Sequence, residues 1–210
     1  TLHYATIDKI SKSFGIRELF RDITFHIEEG DKIALIARNG FGKTTLIKCL
    51  LGLVVPTSGE IKIDGVNAIG SWMHRSNIGY MPQIGRYPDN ITVMQLFEMI
   101  KEIRKGTFVK LDEELLHSFE IFKFENKTMS SLSGGMRQKV SACLAFMFDP
   151  EILILDEPTA GLDPISAEIL KEKLKKELTK GKLILITSHI LNDLEDLTNE
   201  IIYLNEGKIV

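Results

Sequence analysis

The fold of this chain is decided at Ala37-Arg38-Asn39-Gly40-Phe41-Gly42-Lys43-Thr44-Thr45. The residues just before it, 33–36, are all apolar and predict a buried strand. Residues 43–51 predict a helix that ends at Gly52. A glycine-containing loop between a strand and a helix directs its backbone N–H groups, and the positive end of the helix dipole, toward one point. We therefore expect this loop to hold a phosphate group.

The loop follows the pattern Gly-x-x-x-x-Gly-Lys-Ser/Thr of phosphate-binding loops, with one departure. In that pattern the lysine reaches the β- and γ-phosphates of a nucleotide and the hydroxyl ligates Mg²⁺, roles that fall on Lys43 and Thr44. The departure is Ala37, which stands where the pattern has its first glycine. Alanine costs energy there if the backbone φ is positive and is harmless if it is not. A glycine turn without any ligand is the alternative interpretation.

Length and composition indicate an ordinary globular protein. The chain has 210 residues, enough for one domain or for one domain with a small insert, and it is 44% apolar and 26% charged. A formal net charge of −3 does not indicate a general nucleic-acid surface. Cys49 and Cys143 lie in helical apolar contexts, so we expect reduced core residues of a cytosolic protein. No apolar run is long enough to predict a membrane span.

The N-terminal part predicts antiparallel strands. Residues 6–10 and 23–27 alternate between apolar and polar, with a turn near Gly15 between them. Phe14 stands just before that turn, where an aromatic ring is either a plug in the core or a platform for adenine. Local sequence alone favours the plug. Further along, residues 78–83 predict a strand that ends where Pro82 and Gln83 begin a loop.

The middle of the chain predicts helices. Thr92 can cap a helix over residues 93–104, in which apolar residues recur at helical spacing. Residues 111–124 predict a second amphipathic helix. We interpret residues 88–131 as a helical insert on an α/β core.

A second anion site is indicated at residues 132–138, Leu-Ser-Gly-Gly-Met-Arg-Gln, which open a helix predicted to reach residue 148. Ser133 is a good N-cap, and Gly134 and Gly135 leave the first backbone N–H groups uncovered. A helix N-terminus carries about half a positive charge and so favours an anion. An ordinary helix start without a ligand is the alternative.

Two predicted parallel strands deliver polar side chains at their carboxyl ends, where ligands of open α/β sheets bind. The apolar run 151–155 delivers Asp156 and Glu157, a pair suited to Mg²⁺ coordination and to general-base chemistry. Two solvated charges in a turn are the alternative. The run 183–187 is followed by Ser188 and His189, and a lone histidine in this position is usually structural.

The C-terminal third predicts one more helix and a hairpin. Asp163 is a helix cap with Pro164 at the first helical position. The expected buried stripe of this helix consists of Ile165, Ile169, Leu170, Leu174 and Leu178. Residues 200–210 predict an edge hairpin.

Together these elements resemble the ATP-binding subunits of ABC transporters over nearly the whole chain. Residues 37–45 match the Walker A loop, 152–157 the Walker B segment and 132–138 the ABC signature. Gln83, Asp163 and His189 match the Q-loop, D-loop and switch residues. The resemblance implies an α/β P-loop NTPase fold: a RecA-like mixed sheet core, an N-terminal antiparallel β subdomain and an α-helical subdomain. It implies a single domain over residues 1–210, with the core at 1–87 and 132–210 and the helical subdomain at 88–131.

The resemblance also implies hydrolysis of ATP, with Mg²⁺, at the interface of a head-to-tail dimer. One copy would bind the nucleotide through Arg38, Asn39, Gly40, Phe41, Gly42, Lys43, Thr44 and Thr45, and the other would close over it with Ser133, Gly134, Gly135 and Asp163. Asp156, Thr44 and Gln83 would hold Mg²⁺. Glu157 would polarise the attacking water, with Gln83 and His189 also in catalytic positions. Phe14 falls at the position that stacks on adenine, which reverses the local preference for a core plug.

Two functions from different classes follow from the resemblance. The first is a transport motor at the cytoplasmic face of the cell membrane, with membrane-spanning permease chains as partners and a homodimer favoured. The second is a soluble ABC ATPase of DNA repair, chromosome organisation or translation. The short span from Gln83 to Ser133 and the lack of a basic patch favour transport, without a nucleic-acid partner. Residues 157–164 look like the ATPases of type-2 exporters. Residues 79–90 resemble the NosF-type ATPase, which serves maturation of the copper site of nitrous oxide reductase. The ATPase of a small-solute importer is the alternative.

Overall fold

A computed structural model describes residues 4–28, 30–37, 42–70, 73–108, 110–188, 198–205 and 207–209. Its strands are β1 Ala5–Phe14, β2 Arg17–Ile27, β3 Lys32–Ala37, β4 Ser58–Ile63, β5 Val66–Asn67, β6 Ile78–Met81, β7 Ile152–Asp156, β8 Leu183–Ser188, β9 Glu200–Asn205 and β10 Lys208–Ile209. Its α-helices are α1 Lys43–Leu50, α2 Val93–Ile103, α3 Glu114–Ser118, α4 Gly134–Phe146 and α5 Pro164–Thr179. Short 3₁₀ turns cover Met73–Asn77, Ile121–Lys123 and Met129–Ser131.

The strands form two sheets. An antiparallel sheet has the order β2-β1-β4-β5, and the larger sheet has the order β10-β9-β3-β8-β7-β6. In the larger sheet β9, β3, β8, β7 and β6 run parallel to their neighbours, and β10 adds an antiparallel edge. The mixed sheet, the antiparallel N-terminal sheet and the helices confirm the predicted α/β class.

The central strands are buried on both faces, which explains their uninterrupted apolar sequences. In β3, Ala34 and Ile36 join one hydrophobic cluster while Ile33 and Leu35 join the other. The first cluster contains the apolar side chains of α2 and α4, and the second contains those of α1 and of the antiparallel sheet. The central sheet therefore separates two hydrophobic cores.

Two predicted helix caps and the predicted burial of both cysteines are confirmed. Thr92 caps α2: its side chain accepts from the backbone N–H of Gln95, and the Gln95 side chain accepts from the N–H of Thr92. Asp163 caps α5 with Pro164 in the first turn. Cys49 and Cys143 are buried free thiols. In the described parts of the chain, no helix combines the length and the apolar character that crossing a bilayer requires.

The predicted second amphipathic helix over residues 111–124 is wrong in extent. The structure has only the short helix α3, followed by Glu120 at a left-handed φ of 51° and a 3₁₀ turn. Left-handed backbone cannot continue a right-handed helix, so the chain turns there. The apolar periodicity was nevertheless informative about burial, because Leu115, Phe119 and Ile121 all lie in the core.

The predicted buried stripe of α5 needs one correction, since Ile165 is 75% exposed. Leu170 and Leu174 are buried as expected. Between them Lys173 is also buried, with its ammonium group within 3 Å of carboxylate oxygens of Asp112, Glu114 and Glu177. This charged cluster, which we call the Lys173 network, connects α5 to the start of α3.

Candidate active site

Ala37, the departure from the phosphate-loop pattern, lies in regular strand backbone. It is the last residue of β3, is buried and pairs with Leu204 of β9. Strand backbone has negative φ, so an alanine Cβ meets no conformational penalty here. Its carbonyl oxygen accepts a hydrogen bond of 2.5 Å from Lys43 Nζ.

Gly42, at the other end of the loop, does require glycine. It is the N-cap of α1 with a φ of 87°, a left-handed conformation that side chains other than glycine rarely adopt. A Cβ atom at this position would lie 3.0 Å from Phe20 Cδ1 and 3.4 Å from Leu19 Cβ. The loop can therefore approach β2 closely only with glycine at this point.

An open pocket of about 430 Å³ lies at the start of α1, beside the carboxyl ends of β6 and β7. Of the described residues, it is lined by Arg17, Leu19, Gly42, Lys43, Thr44, Thr45, Gln83, Asp156 and Glu157. The residues predicted from the Walker A loop, the Q-loop and the Walker B segment thus meet in one cavity. These residues are far apart in the sequence and come together because the parallel strands end at the same edge of the sheet.

Cationic and anionic side chains are paired inside this pocket. Lys43 Nζ lies 3.0 Å from Glu157 Oε1, and the two side chains are 6% and 5% exposed. The hydroxyl of Thr44 donates to Asp156 Oδ2 over 2.7 Å, and Asp156 is fully buried. The alternative of two solvated charges at Asp156 and Glu157 is therefore wrong.

The pocket can also provide ligands for a divalent cation. Thr44 and Asp156 bring a hydroxyl and a carboxylate oxygen together, and Gln83 lines the same cavity. Among the described residues no group of three or more His, Cys, Asp or Glu side chains could hold a metal. One carboxylate with neutral oxygen donors, completed by phosphate and water, is the coordination that Mg²⁺ prefers. The donor set fits Mg²⁺.

Sequence reasoning missed three residues of the site. Arg17 and Leu19 line the pocket from β2, and Thr187 lies beneath it on β8, hydrogen-bonded to Asp156 and to the backbone of Glu157. The hairpin turn at Gly15 could have indicated Arg17, because this residue pairs with Phe14 across the turn. The local sequence around Thr187 carries no such signal.

Phe14 is not a core plug, and the local preference for that role is wrong. The ring is 55% exposed, and the ammonium group of Lys12 lies 4.8 Å from its centroid. Phe14 is not among the described residues that line the pocket, but its strand partner Arg17 is. An exposed ring at this end of the hairpin is available for stacking.

Ser133, Gly134 and Gly135 form a separate surface with Asp163, which we call the signature surface. Ser133, Gly134 and Asp163 are exposed, and none of the four is among the described residues that line the pocket. The start of α4 packs against the loop that leads to Asp163, since a Cβ on Gly135 would lie 3.0 Å from the carbonyl oxygen of Gly161. The sites predicted from the two glycine motifs are therefore distinct places in this chain.

Asp163 is held as an anion at the edge of the signature surface. The hydroxyl and the backbone N–H of Ser166 donate to its carboxylate over 2.7 Å and 2.9 Å, and Lys139 Nζ lies 3.4 Å away. These contacts, led by the Ser166 hydroxyl, lower the pKa of Asp163 to about 2. The carboxylate therefore remains charged at any physiological pH.

Five predicted site residues lie outside the described residues: Arg38, Asn39, Gly40, Phe41 and His189. The first four belong to the loop between β3 and Gly42, and His189 follows β8 directly. The described residues next to them, Ala37 and Ser188, lie beside Lys43, whose Nζ is within 3.5 Å of both carbonyl oxygens.

Comparison with known sequences points to one family. Residues 20–160 match the ABC transporter family. The chain is 31% identical over 205 residues to Nod factor export ATP-binding protein I of Paraburkholderia xenovorans, covering 96% of this chain and 67% of that protein. For the protein of the same name from Rhizobium meliloti the identity is again 31% over 205 residues, covering 96% of this chain and 61% of that protein. The chain thus spans roughly two thirds of the length of these relatives.

Solved structures agree with this assignment. An ATP-binding subunit of an ABC transporter superposes with a TM-score of 0.87 at 29% identity, covering 98% of this chain and 88% of that one. A dimeric bacterial ABC transporter cassette has the same fold, with a TM-score of 0.85 at 22% identity and coverage of 98% and 96%. On its fold, its pocket and these similarities, the chain belongs to the ABC transporter family, as one of its ATP-binding subunits, an ATPase.

Proposed function

We propose that this chain is the motor of an exporter, in which ATP bound between two copies drives separate membrane-spanning chains. The observation that carries the proposal is the separation of the phosphate pocket from the exposed signature surface. Within one copy the two anion-binding features do not line one cavity, so a second copy is needed to bring them to the same nucleotide. A head-to-tail pair of identical chains supplies both features twice.

In the first copy, the pocket binds the phosphates of ATP. Lys43 exchanges its contact with Glu157 for the β- and γ-phosphates, while Gly42, Thr44 and Thr45 present the start of α1 to them. We assign Arg38, Asn39, Gly40 and Phe41 to the same phosphate chain, because in the sequence they complete the loop between Ala37 and Gly42. Phe14 provides the exposed ring that stacks on adenine.

Hydrolysis requires a metal and a base, and the pocket supports both roles. Thr44, Asp156 and Gln83 are the residues that would hold Mg²⁺, which neutralises charge on the phosphates when bound. Glu157, released from Lys43 when ATP binds, polarises the attacking water as a general base. His189, directly after β8, contacts the γ-phosphate in this scheme.

The second copy contributes the signature surface. Ser133, Gly134 and Gly135 begin α4, so their backbone N–H groups and the helix dipole favour the γ-phosphate of the partner's ATP. Asp163 reaches the same interface from the loop that contacts Gly135. Hydrolysis removes the γ-phosphate that both copies hold, and this releases the dimer.

Export is favoured over import by the relatives. Nod factor export ATP-binding proteins of several bacteria match nearly the whole chain at about 30% identity. The proposed partners are permease chains at the cytoplasmic face of the membrane. The helical subdomain at residues 88–131 would contact them, and it carries exposed apolar side chains at Met94, Met99, Ile103 and Phe122. Copper-site maturation of nitrous oxide reductase is the narrower candidate, based on residues 79–90 alone.

The dimer is tested with the Glu157→Gln variant, which should keep ATP bound. Light scattering in the presence of ATP and Mg²⁺ should give twice the monomer mass, and a Ser133→Arg change in the same variant should abolish this dimer. A Glu157→Gln variant that remains monomeric while ATP is bound would contradict the shared site.

The transport role is tested by purifying the chain from its native membranes in mild detergent and identifying the co-purifying proteins by mass spectrometry. A polytopic membrane protein supports the motor, and copper-handling or periplasmic maturation proteins would support the narrower candidate. A substrate-binding protein in the complex would point to an importer. Recovery only with ribosomes, DNA or soluble partners would overturn the transport role.

A further inference from the structure

Thr187 is a buried hydroxyl beneath the active-site pocket whose bonds have a direct consequence for catalysis. It is completely buried on β8, and in the parallel register it lies directly beside Asp156 of β7. Hydroxyl groups buried this deeply need partners for both the proton and the oxygen. In Thr187 both partners belong to the two carboxylate residues of the site.

The hydroxyl donates its proton to Asp156 Oδ1 over 2.5 Å. It also accepts the backbone N–H of Glu157 over 3.1 Å, and the carbonyl oxygen of Thr187 accepts the same N–H over 3.1 Å. The two oxygens of Asp156 are therefore used differently: Oδ1 is fixed by Thr187, and Oδ2 faces the hydroxyl of Thr44. The bond to Thr187 therefore restricts rotation of the carboxylate while Oδ2 stays beside Thr44.

The same hydroxyl acts on the backbone of Glu157. This residue has a φ of 52°, in the left-handed region that a residue with a side chain rarely occupies. Such a conformation persists only where the surrounding structure holds it in place. The two bonds from its N–H to Thr187 provide that restraint and direct the chain so that the Glu157 side chain enters the pocket beside Lys43.

We propose that Thr187 is a positioning residue for ATP hydrolysis, which through one hydroxyl fixes both the metal-binding face of Asp156 and the backbone of Glu157. The inference rests on the proposed roles of Asp156 and Glu157. Thr187 is not among the described residues that line the pocket, so its proposed effect passes through these two residues. Threonine suits the task because its branched Cβ restricts χ1 and holds the hydroxyl in one direction.

The proposal is tested with Thr187→Val, which keeps the side-chain shape and removes the hydroxyl, and with Thr187→Ser, which keeps the hydroxyl. Thr187→Val should lower kcat, or raise the Mg²⁺ concentration for half-maximal rate, by about 10–100-fold, the effect usual for groups that orient a metal ligand. Thr187→Ser should restore values close to those of the unchanged protein. Thr187→Ala serves in place of the valine variant if that protein does not fold.

A binding measurement separates positioning from a merely structural role. The affinity for ATP in Mg²⁺ should weaken in Thr187→Val, whereas the affinity in EDTA should not change. The matched control is Ser141→Ala, which removes another fully buried hydroxyl, one bonded to Tyr87 rather than to the site. This control should leave the Mg²⁺ dependence unchanged even if its melting temperature falls.

Two outcomes overturn the proposal. The first is a folded Thr187→Val protein with unchanged kcat and Mg²⁺ dependence. The second is a fall in activity that follows stability alone, with the same Mg²⁺ dependence as the unchanged protein and no rescue by serine. If Glu157→Gln hydrolyses ATP at the unchanged rate, the proposed role of Glu157 fails, while the Mg²⁺-dependent binding still decides whether Thr187 positions Asp156.

Discussion

Lys43 and Glu157 are bonded to each other in the pocket, with Nζ 3.0 Å from Oε1 and both side chains almost completely buried. The ion pair therefore occupies the ammonium group that is proposed to bind the phosphates and the carboxylate that is proposed to act as the base. In the proposed mechanism, the phosphates of ATP attract Lys43 and leave the Glu157 carboxylate available to polarise water. In this proposal, Glu157 becomes free to act as a base only when the nucleotide has bound.

Glu157→Gln should bind ATP but hydrolyse it at least about 10²-fold more slowly, because a positioned base contributes about 10²–10⁴ in rate. The amide has the shape of the carboxylate and cannot accept a proton from water. Release of phosphate under saturating ATP measures the rate, and Glu168→Gln on the exposed side of α5 is the control. Near-normal turnover in Glu157→Gln would exclude the residue as the base.

Lys43→Ala should weaken the binding of ATP about tenfold or more. Charge-assisted hydrogen bonds contribute about 1.5–3 kcal/mol, and 1.4 kcal/mol corresponds to a tenfold change in affinity. Titration calorimetry measures the dissociation constant, with Lys48→Ala, an exposed lysine of the same helix, as the control. Equal affinity in Lys43→Ala and the unchanged protein would remove Lys43 from the phosphate site.

Ala37→Gly should leave the affinity for ATP nearly unchanged. Ala37 has strand backbone with negative φ, a conformation that alanine and glycine both adopt, so glycine offers no advantage to the loop. Glycine has more backbone freedom than alanine in the unfolded chain, so the melting temperature should fall slightly. A large gain in affinity for the glycine variant would mean that alanine impairs the native loop.

Lys173→Ala should destabilise the fold by about 3–5 kcal/mol, the usual effect of removing one partner from a buried ion pair. Lys173 is 2% exposed and lies within 3 Å of three carboxylates, so its loss removes a cation from beside Glu177, which is 1% exposed. Chemical unfolding measures the change. The control is Lys176→Ala: Lys176 also contacts Glu114 but is 60% exposed, so we expect a change below about 1 kcal/mol.

The contribution of the Lys173 network to the free energy of unfolding should fall at low pH. Burial by itself raises the pKa of Glu177, but hydrogen bonds from Lys180, Lys182 and Lys173 outweigh burial and lower the pKa from 4.5 to about 2. Because the folded pKa is below the unfolded one, the stability from this carboxylate is fully present above about pH 4.5 and is lost as the pH falls through about 2.

The measurement is the free energy of unfolding of Glu177→Gln and of the unchanged protein at a series of pH values. The variant should be less stable at neutral pH, and the difference should shrink as the pH is lowered from about 4.5 to about 2. A difference that stays constant over this range would show that Glu177 acts through its shape rather than its charge.

Much of the site could be predicted from local sequence. Apolar runs marked β3, β7 and β8, and the polar residues that follow such runs must lie at the carboxyl edge of a parallel sheet. This reasoning brought Lys43, Thr44, Asp156 and Glu157 together correctly. It was wrong at Ile165 and over residues 111–124, because the exposure of one side chain and the turn at Glu120 depend on how the helices pack.

The class of fold, the glycine-containing loop before α1 and the acidic pair could be predicted, since each is encoded by residues that are neighbours in the chain. Which distant residues support them depends on how the strands and helices pack. Thr187 reaches Asp156 because β7 and β8 pair in one parallel register, and Arg17 reaches the pocket because the β1–β2 hairpin brings it there. Local patterns encode the elements, whereas the register between strands and the packing of side chains are properties of the whole fold.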